Sequence, residues 1–275
     1  MNTILDELEF DPWRYIEPLQ SPIGAYLRRE IFQQKAEIGL KRSLHDRIVA
    51  NQSGDGSWDG FFVHTANNLW NLYLLGYDAK EASVKKGLEW LLSIQRHQYA
   101  GYPGFFQSNN RHDAREMRSI LYGEFGPGCT IFYQTAYAVH LFHIFGFDDN
   151  RRVQTSVNSY LRFWKPAWCG AWCTINVLRT LIEHPLSACS TPTEKGIRTL
   201  ARLQTKRGSW KGFPFFHTFH ALSRAEHPVA KKQVKRALAS VVKRQKTDGG
   251  WGEKERETES FLVLDALKNV GSMQS

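Results

Sequence analysis

The stretch QKTDGGWGE, Gln245 to Glu253, decides the fold, because earlier parts of the chain repeat it in outline. SLHDRIVANQSGDGSW ends at Trp58, KGLEWLLSIQRHQYAGY at Tyr102, KGIRTLARLQTKRGSW at Trp210 and RALASVVKRQKTDGGW at Trp251. Aligned on the glutamine, they place Gln52, Gln95, Gln204 and Gln245 at the end of an apolar-periodic helix, 43, 109 and 41 residues apart. The long middle gap holds two units and an insertion, on a repeat of about 43 residues. Nine residues before the glutamines stand Ser43, Lys86, Lys195 and Arg236.

Each unit has one grammar. A helix ends at the glutamine, a Gly-rich turn carries an aromatic residue, and a second, more apolar helix follows. Glycine supplies the turn with backbone angles other residues resist. The glutamine amide is expected to bond otherwise unpaired helix-end groups while the aromatic ring covers the turn. The second helices read HTANNLWNLYLLG, CTIFYQTAYAVHLFHIFG, CTINVLRTLIEH, HTFHALSRA and ETESFLVLDALKN. Gly76, Gly146 and Gly271 are read as their C-terminal stops. Helices apolar on most sides must be enclosed by others. The class is therefore all-α, with five to six helical hairpins forming a solenoid or a closed ring.

The pattern of a basic residue, an aromatic residue, Gln and then Gly-x-Trp resembles the QW repeat of squalene-hopene and oxidosqualene cyclases, most closely at Gln245 to Glu253. Protein prenyltransferase β-subunits are related to those cyclases, and lanthipeptide cyclases are similar in architecture. The resemblance runs from about residue 40 to 271 and implies an α/α toroid, second helices inside and first helices outside. Residues 36–275 are then one toroid domain, residues 1–35 a segment packed on the ring through Trp13 and Tyr15, and residues 105–128 a lid-like insertion. Two family signatures are missing. The protonating DxDD motif has its nearest counterpart in Gly146-Phe147-Asp148-Asp149, which lacks the first aspartate and follows a helix. The prenyltransferase zinc motif, Asp and Cys two residues apart, is absent.

Composition narrows the classes further. The chain has 275 residues, 42% hydrophobic and 23% charged, enough apolar surface for a sizeable core. No apolar run reaches membrane-spanning length, and the acidic start MNTILDELEFD is not a signal peptide. Four cysteines, Cys129, Cys169, Cys173 and Cys189, are too few for a disulfide scaffold, so a reduced, cytoplasmic protein is expected. The net charge of +9 suits an anionic ligand. The basic stretch Lys231 to Arg236 opens a helix whose buried side is Val234, Leu238, Val241 and Val242. Its charges are read as a solvated face, not a nucleic-acid patch.

Superimposing the second helices gives a column of His64, Cys129, Cys173, His217 and Glu257, each followed by threonine. In a toroid these positions lie on one circle. Imidazole, thiolate and carboxylate together suit zinc, or alternatively iron. The expectation is a metal held by His64, Cys129, Cys173 and His217, with Glu257 as fifth ligand or base and Cys169 as a reserve thiolate. Three residues on stand Asn67, Phe132, Asn176, His220 and Ser260. Asn67, Asn176 and Ser260 are expected to bind substrate, and His220 to reach the cavity as a catalytic group. Arg111, Arg115 and Arg118 of the insertion are placed for phosphate or carboxylate. His140 and His143 are read as core or surface histidines.

The leading expectation is a metalloenzyme acting on a small polar or anionic substrate. Resemblance favours thiol alkylation or addition, and metal-activated water is the competitor. A shortened terpenoid cyclase or prenyltransferase acting on an isoprenoid diphosphate is one alternative. A binding module with structural zinc is another.

Overall fold

The computed structural model describes residues 8–35, 37–95, 101–106, 127–163 and 170–272, with only the backbone at 127–130 and 272. Among them are twelve α-helices and no strand. In chain order they are α1 Trp13–Ile16, α2 Pro22–Glu30, α3 Ile38–Val49, α4 Phe62–Leu74, α5 Ala82–Ser93 and α6 Pro127–Ile144. Then follow α7 Arg151–Arg162, α8 Ala171–Glu183, α9 Thr191–Leu203, α10 Phe215–Ser223, α11 Pro228–Lys243 and α12 Arg256–Ser272. No described helix is long and apolar enough to cross a membrane. The chain divides into two compact units, Ser43–Thr193 and a second formed by Met1–Arg42 with Glu194–Ser275.

In the unit Ser43–Thr193, α6 packs against α4 and α8, while α5 lies on α4 and α7 on α6. The division of labour follows from sequence. RRVQTSVNSYLR in α7 buries one side through Val153, Val157 and Tyr160, and Asn150 caps it by accepting the Arg152 N–H at 2.9 Å. By contrast α6 is buried almost without interruption from Ile131 to Leu141. Trp58, Phe62, Phe105, Phe106 and Phe142 are fully buried in this core.

The turns repeat at the level of single bonds. Isolated backbone bridges join Gln52 to Trp58, Gln95 to Phe106, Gln204 to Trp210 and Gln245 to Trp251. Phe106, not Tyr102, is thus the aromatic of the second turn, because that loop is longer than its counterparts. Each glutamine Nε2 donates to a glycine carbonyl of its own turn. For Gln52 this is Gly56 at 2.9 Å, and for Gln204 it is Gly208 at 3.0 Å. The same Nε2 also reaches the next first helix, at the Ser83 carbonyl of α5, the Arg152 carbonyl of α7 or the Gln233 carbonyl of α11. The amide therefore staples consecutive repeats, instead of satisfying the end of its own helix. Gly56 has φ +93°, and a Cβ there would stand 2.3 Å from the Lys86 carbonyl oxygen, so only glycine lets the turn meet α5.

In the other unit, α12 packs against α10 and α2, with α11 on α10 and α1 on α2. Here the N-terminal segment takes the part of a following helix. Gln245 Nε2 donates to the Phe10 carbonyl at 2.7 Å and Gln245 Oε1 accepts the Phe10 N–H at 3.1 Å. Gly250 lies against the Tyr15 ring. Gly271 sits inside the last turn of α12 rather than ending it. Lys231, Lys232, Lys235 and Arg236 are exposed on α11, while Val234, Ala237 and Val241 face inward.

Candidate active site and the buried histidine–carboxylate pairs

In the unit Ser43–Thr193, His140 of α6 meets Glu183 at the end of α8. Nδ1 and Oε2 are 2.6 Å apart, and the side chains are 5% and 4% exposed. So short a contact holds a proton between imidazole and carboxyl. The Trp70 ring of α4 lies 5.5 Å from His140, Tyr73 stacks on Trp70 at 5.4 Å, and Phe145 meets Tyr73 edge-on at 6.0 Å. The hydrogen-bonded pair therefore stands beside aromatic rings, whose faces attract positive charge.

The other unit holds a second pair. His220 Nε2 of α10 lies 3.0 Å from Asp265 Oδ2 of α12. The same oxygen receives Arg224 Nη2 at 2.6 Å, and Tyr26 of α2 donates to Oδ1 at 2.8 Å. Burial alone would raise this carboxyl, but the hydrogen bond from His220, the charges of Arg224 and His220, and the Tyr26 phenol outweigh it. Asp265 is held well below the usual carboxylate range, so it serves as an ionised tie among three helices.

A third cluster lies between α4, α6 and α8. Tyr137 donates to Asn67 Oδ1 at 3.1 Å, and its ring meets Tyr133 at 6.2 Å. Burial pushes the Tyr133 phenol up to about 12, against the opposing charge of Arg179. Burial raises Tyr137 further still. Cys173, 1% exposed, is close enough to act electrostatically on Tyr133 and Tyr160.

Hydroxyls on the second helices accept the turn aromatic's backbone N–H: Thr65 from Trp58 at 3.0 Å, Thr135 from Phe106 at 2.9 Å and Ser260 from Trp251 at 2.8 Å. By this register Gln134 and Glu259 stand level with His64, whereas an alignment on the threonines sets Cys129 and Glu257 there. His64 Nδ1 lies 3.1 Å from Asp59 Oδ2. Cys173 is in the first turn of α8, and His217 is part-buried in the first turn of α10. Glu257 Oε1 accepts a short hydrogen bond from Ser21, the N-cap of α2. Among the described residues no group of three or more His, Cys, Asp or Glu side chains stands together as a metal ion requires. The Cys129 side chain, Cys169, Arg111, Arg115 and Arg118 lie outside the described residues.

Of the expected substrate-binding residues, Asn67 accepts from Tyr137, and Asn176 donates to the Trp172 carbonyl one turn earlier at 3.0 Å. Ser260 is fully buried and engaged by the Trp251 turn. His220 is buried against Asp265. His143 is paired too, with Asp148 at 2.9 Å. His140, read as a core or surface histidine, is buried in the core and pairs with Glu183 there. A signal was available: the partners of both buried pairs lie 43 and 45 residues apart, about one repeat.

The all-α fold is terpene-cyclase-like. No protein-family model and no curated protein matches the chain. Among solved structures, it is similar to a variant of the type II terpene cyclase MstE from Scytonema in complex with geranylgeranyl dihydroxybenzoate. That match has TM-score 0.60 and 12% identity, covering 96% of this chain and 88% of that one. The apo form of MstE gives TM-score 0.56 at 11% identity, covering 96% and 89%. A protein from Actinoplanes gives TM-score 0.59 at 18% identity, covering 90% and 89%.

Proposed function

We propose that this chain is a shortened terpenoid cyclase, cytoplasmic, that acts on an isoprenoid substrate by proton transfer from the His140–Glu183 pair. The observation that carries the reading is that pair itself, proton-bearing, buried and beside Trp70. In the reaction the Glu183 carboxyl gives its proton to a double bond, and the new C–H bond leaves a carbocation on the more substituted carbon. A second double bond closes a ring onto that carbon, and loss of a proton from the resulting cation returns the pair to its starting state. The product is an isomer of the substrate. Trp70 and Tyr73 offer π faces to the travelling charge, a contribution of about 0.5–2 kcal/mol per ring. Asp265 is the poorer proton source, because its carboxyl is held ionised.

Likeness of fold over most of both chains supports the class, and the substrate named in the MstE complex is an isoprenoid conjugate. The competing zinc or iron enzyme rests on the composition of the His64, Cys129, Cys173, His217 column alone. Incubation with prenyl diphosphates and prenylated aromatic acids tests the proposal. A product of unchanged mass in water, carrying one deuterium when made in D2O, is expected. Glu183→Gln should abolish it. Turnover that survives Glu183→Gln would refute the assignment of the acid.

A further inference from the structure

Helix α8 is buried from Cys173 to Ile182 except at one position, and that position is Arg179. Its Nε is buried without a hydrogen-bond partner, and among the described residues Arg179 makes no ion pair or hydrogen bond. The carboxylate one turn along the helix, Glu183, is turned to His140. The two phenols near Arg179 are not counter-ions, since burial keeps Tyr133 and Tyr137 protonated at neutral pH. A part-buried guanidinium with no opposing charge among the described residues is costly to maintain. It would also repel any carbocation formed nearby. Both penalties vanish when an anion occupies its fork.

We propose that Arg179 binds an oxyanion on the substrate, a carboxylate or a phosphate, with Tyr133 and Tyr137 beside it. Helical side chains lean towards the N-terminus of their helix, so the guanidinium reaches towards Cys173 and away from Glu183. The charged end and the reacting end of one ligand then meet successive turns of α8. Naming this group as the substrate's charged end rests on the cyclase reading. The anion site itself is open to test without turnover.

Binding of farnesoate, farnesyl phosphate and farnesol, followed by calorimetry, is the experiment. At least one of the two anions should bind about tenfold or more tighter than the alcohol, and their order distinguishes carboxylate from phosphate as the natural group. Arg179→Met should bring the anions down to the affinity of the alcohol while the melting temperature stays level or rises. Arg179→Lys, which keeps the charge but loses the fork, should retain part of the preference. Glu183→Gln should retain all of it, so a failed reaction and a failed anion site are told apart. The assignment is overturned if the alcohol binds as tightly as both anions, or if Arg179→Met keeps the preference. It is equally overturned if Arg179→Met and Arg179→Lys both unfold the protein, since the guanidinium would then be structural.

Discussion

Each unit of the molecule buries one imidazole against one carboxylate across two packed second helices, yet the pairs are suited to opposite tasks. Asp265 is surrounded by His220, Arg224 and Tyr26, three donors that fix it as an anion. Glu183 meets His140 at 2.6 Å beside the Trp70 indole. The same two functional groups, about one repeat apart in both cases, make a structural tie in one unit and, in the proposed reaction, the proton donor in the other. The neighbours decide, chiefly a guanidinium in one case and an aromatic ring in the other.

The sharpest way to break this comparison is to neutralise both carboxylates separately. Glu183→Gln is expected to lower kcat by about 10³-fold or more, a loss typical of removing a general acid, with a melting temperature near that of the parent. Asp265→Asn is expected to do the reverse. It strands Arg224 and His220 and should cost about 3–5 kcal/mol of stability, the usual penalty for breaking a buried pair, while turnover per folded molecule persists. Urea denaturation and product assay of both variants check the contrast. If Asp265→Asn abolished turnover at intact stability, the two roles would have to be exchanged.

A smaller effect separates the two kinds of turn partner. Gln245→Ala leaves the Gly249 and Phe10 carbonyls without their donor and should cost about 1–3 kcal/mol. It should also loosen the N-terminal segment, visible as earlier proteolysis before Ser21. Gln52→Ala should cost a similar amount without that sensitivity, because its partner is the Ser83 carbonyl of α5. Equal proteolysis in both variants would argue against docking of the segment through Gln245.

The repeat, the helices and the glutamine turns were legible in sequence because they rest on local signals: apolar period, glycine and a bulky aromatic. The register between second helices was not. It is set by a hydroxyl that catches the turn N–H, seven residues after Trp58 but nine after Trp251, and twenty-nine after Phe106 across the insertion. The threonine alignment and the hydroxyl bonds differ in register, the one setting Cys129 and Glu257 level with His64 and the other Gln134 and Glu259. The pairs were hidden for a related reason. His140 and His220 each need an acid from the following second helix, and no pattern within one helix announces it. Arg179 does not stand out in sequence because the run that holds it is otherwise apolar up to Glu183.

Acid titration sharpens the comparison further. The Asp265 carboxyl is held below its ordinary value in the fold, so the unfolded chain binds the proton more readily. The stability it contributes is complete above the unfolded value of about 3.9 and is lost as pH falls through the folded one. Denaturation midpoints of the parent should therefore drop below about pH 4, and Asp265→Asn should show a shallower acid limb. An unchanged slope would mean that Asp265 is not ionised in the fold.

The smallest expected effect belongs to His184, which sits beside the acid pair's helix end and takes no part in it. Burial lowers its pKa and the neighbouring His143 lowers it further, while Asp148, 3.3 Å from Nε2, pulls the other way without prevailing. A histidine whose folded value is depressed stabilises the fold above its unfolded value of about 6.5 and withdraws that support as pH falls. His184→Gln should therefore flatten the stability profile between about pH 7 and 5.5, by no more than about 1 kcal/mol, with turnover unaffected at neutral pH. A steeper profile in the variant would mean that Asp148 prevails and the imidazole is charged in the fold.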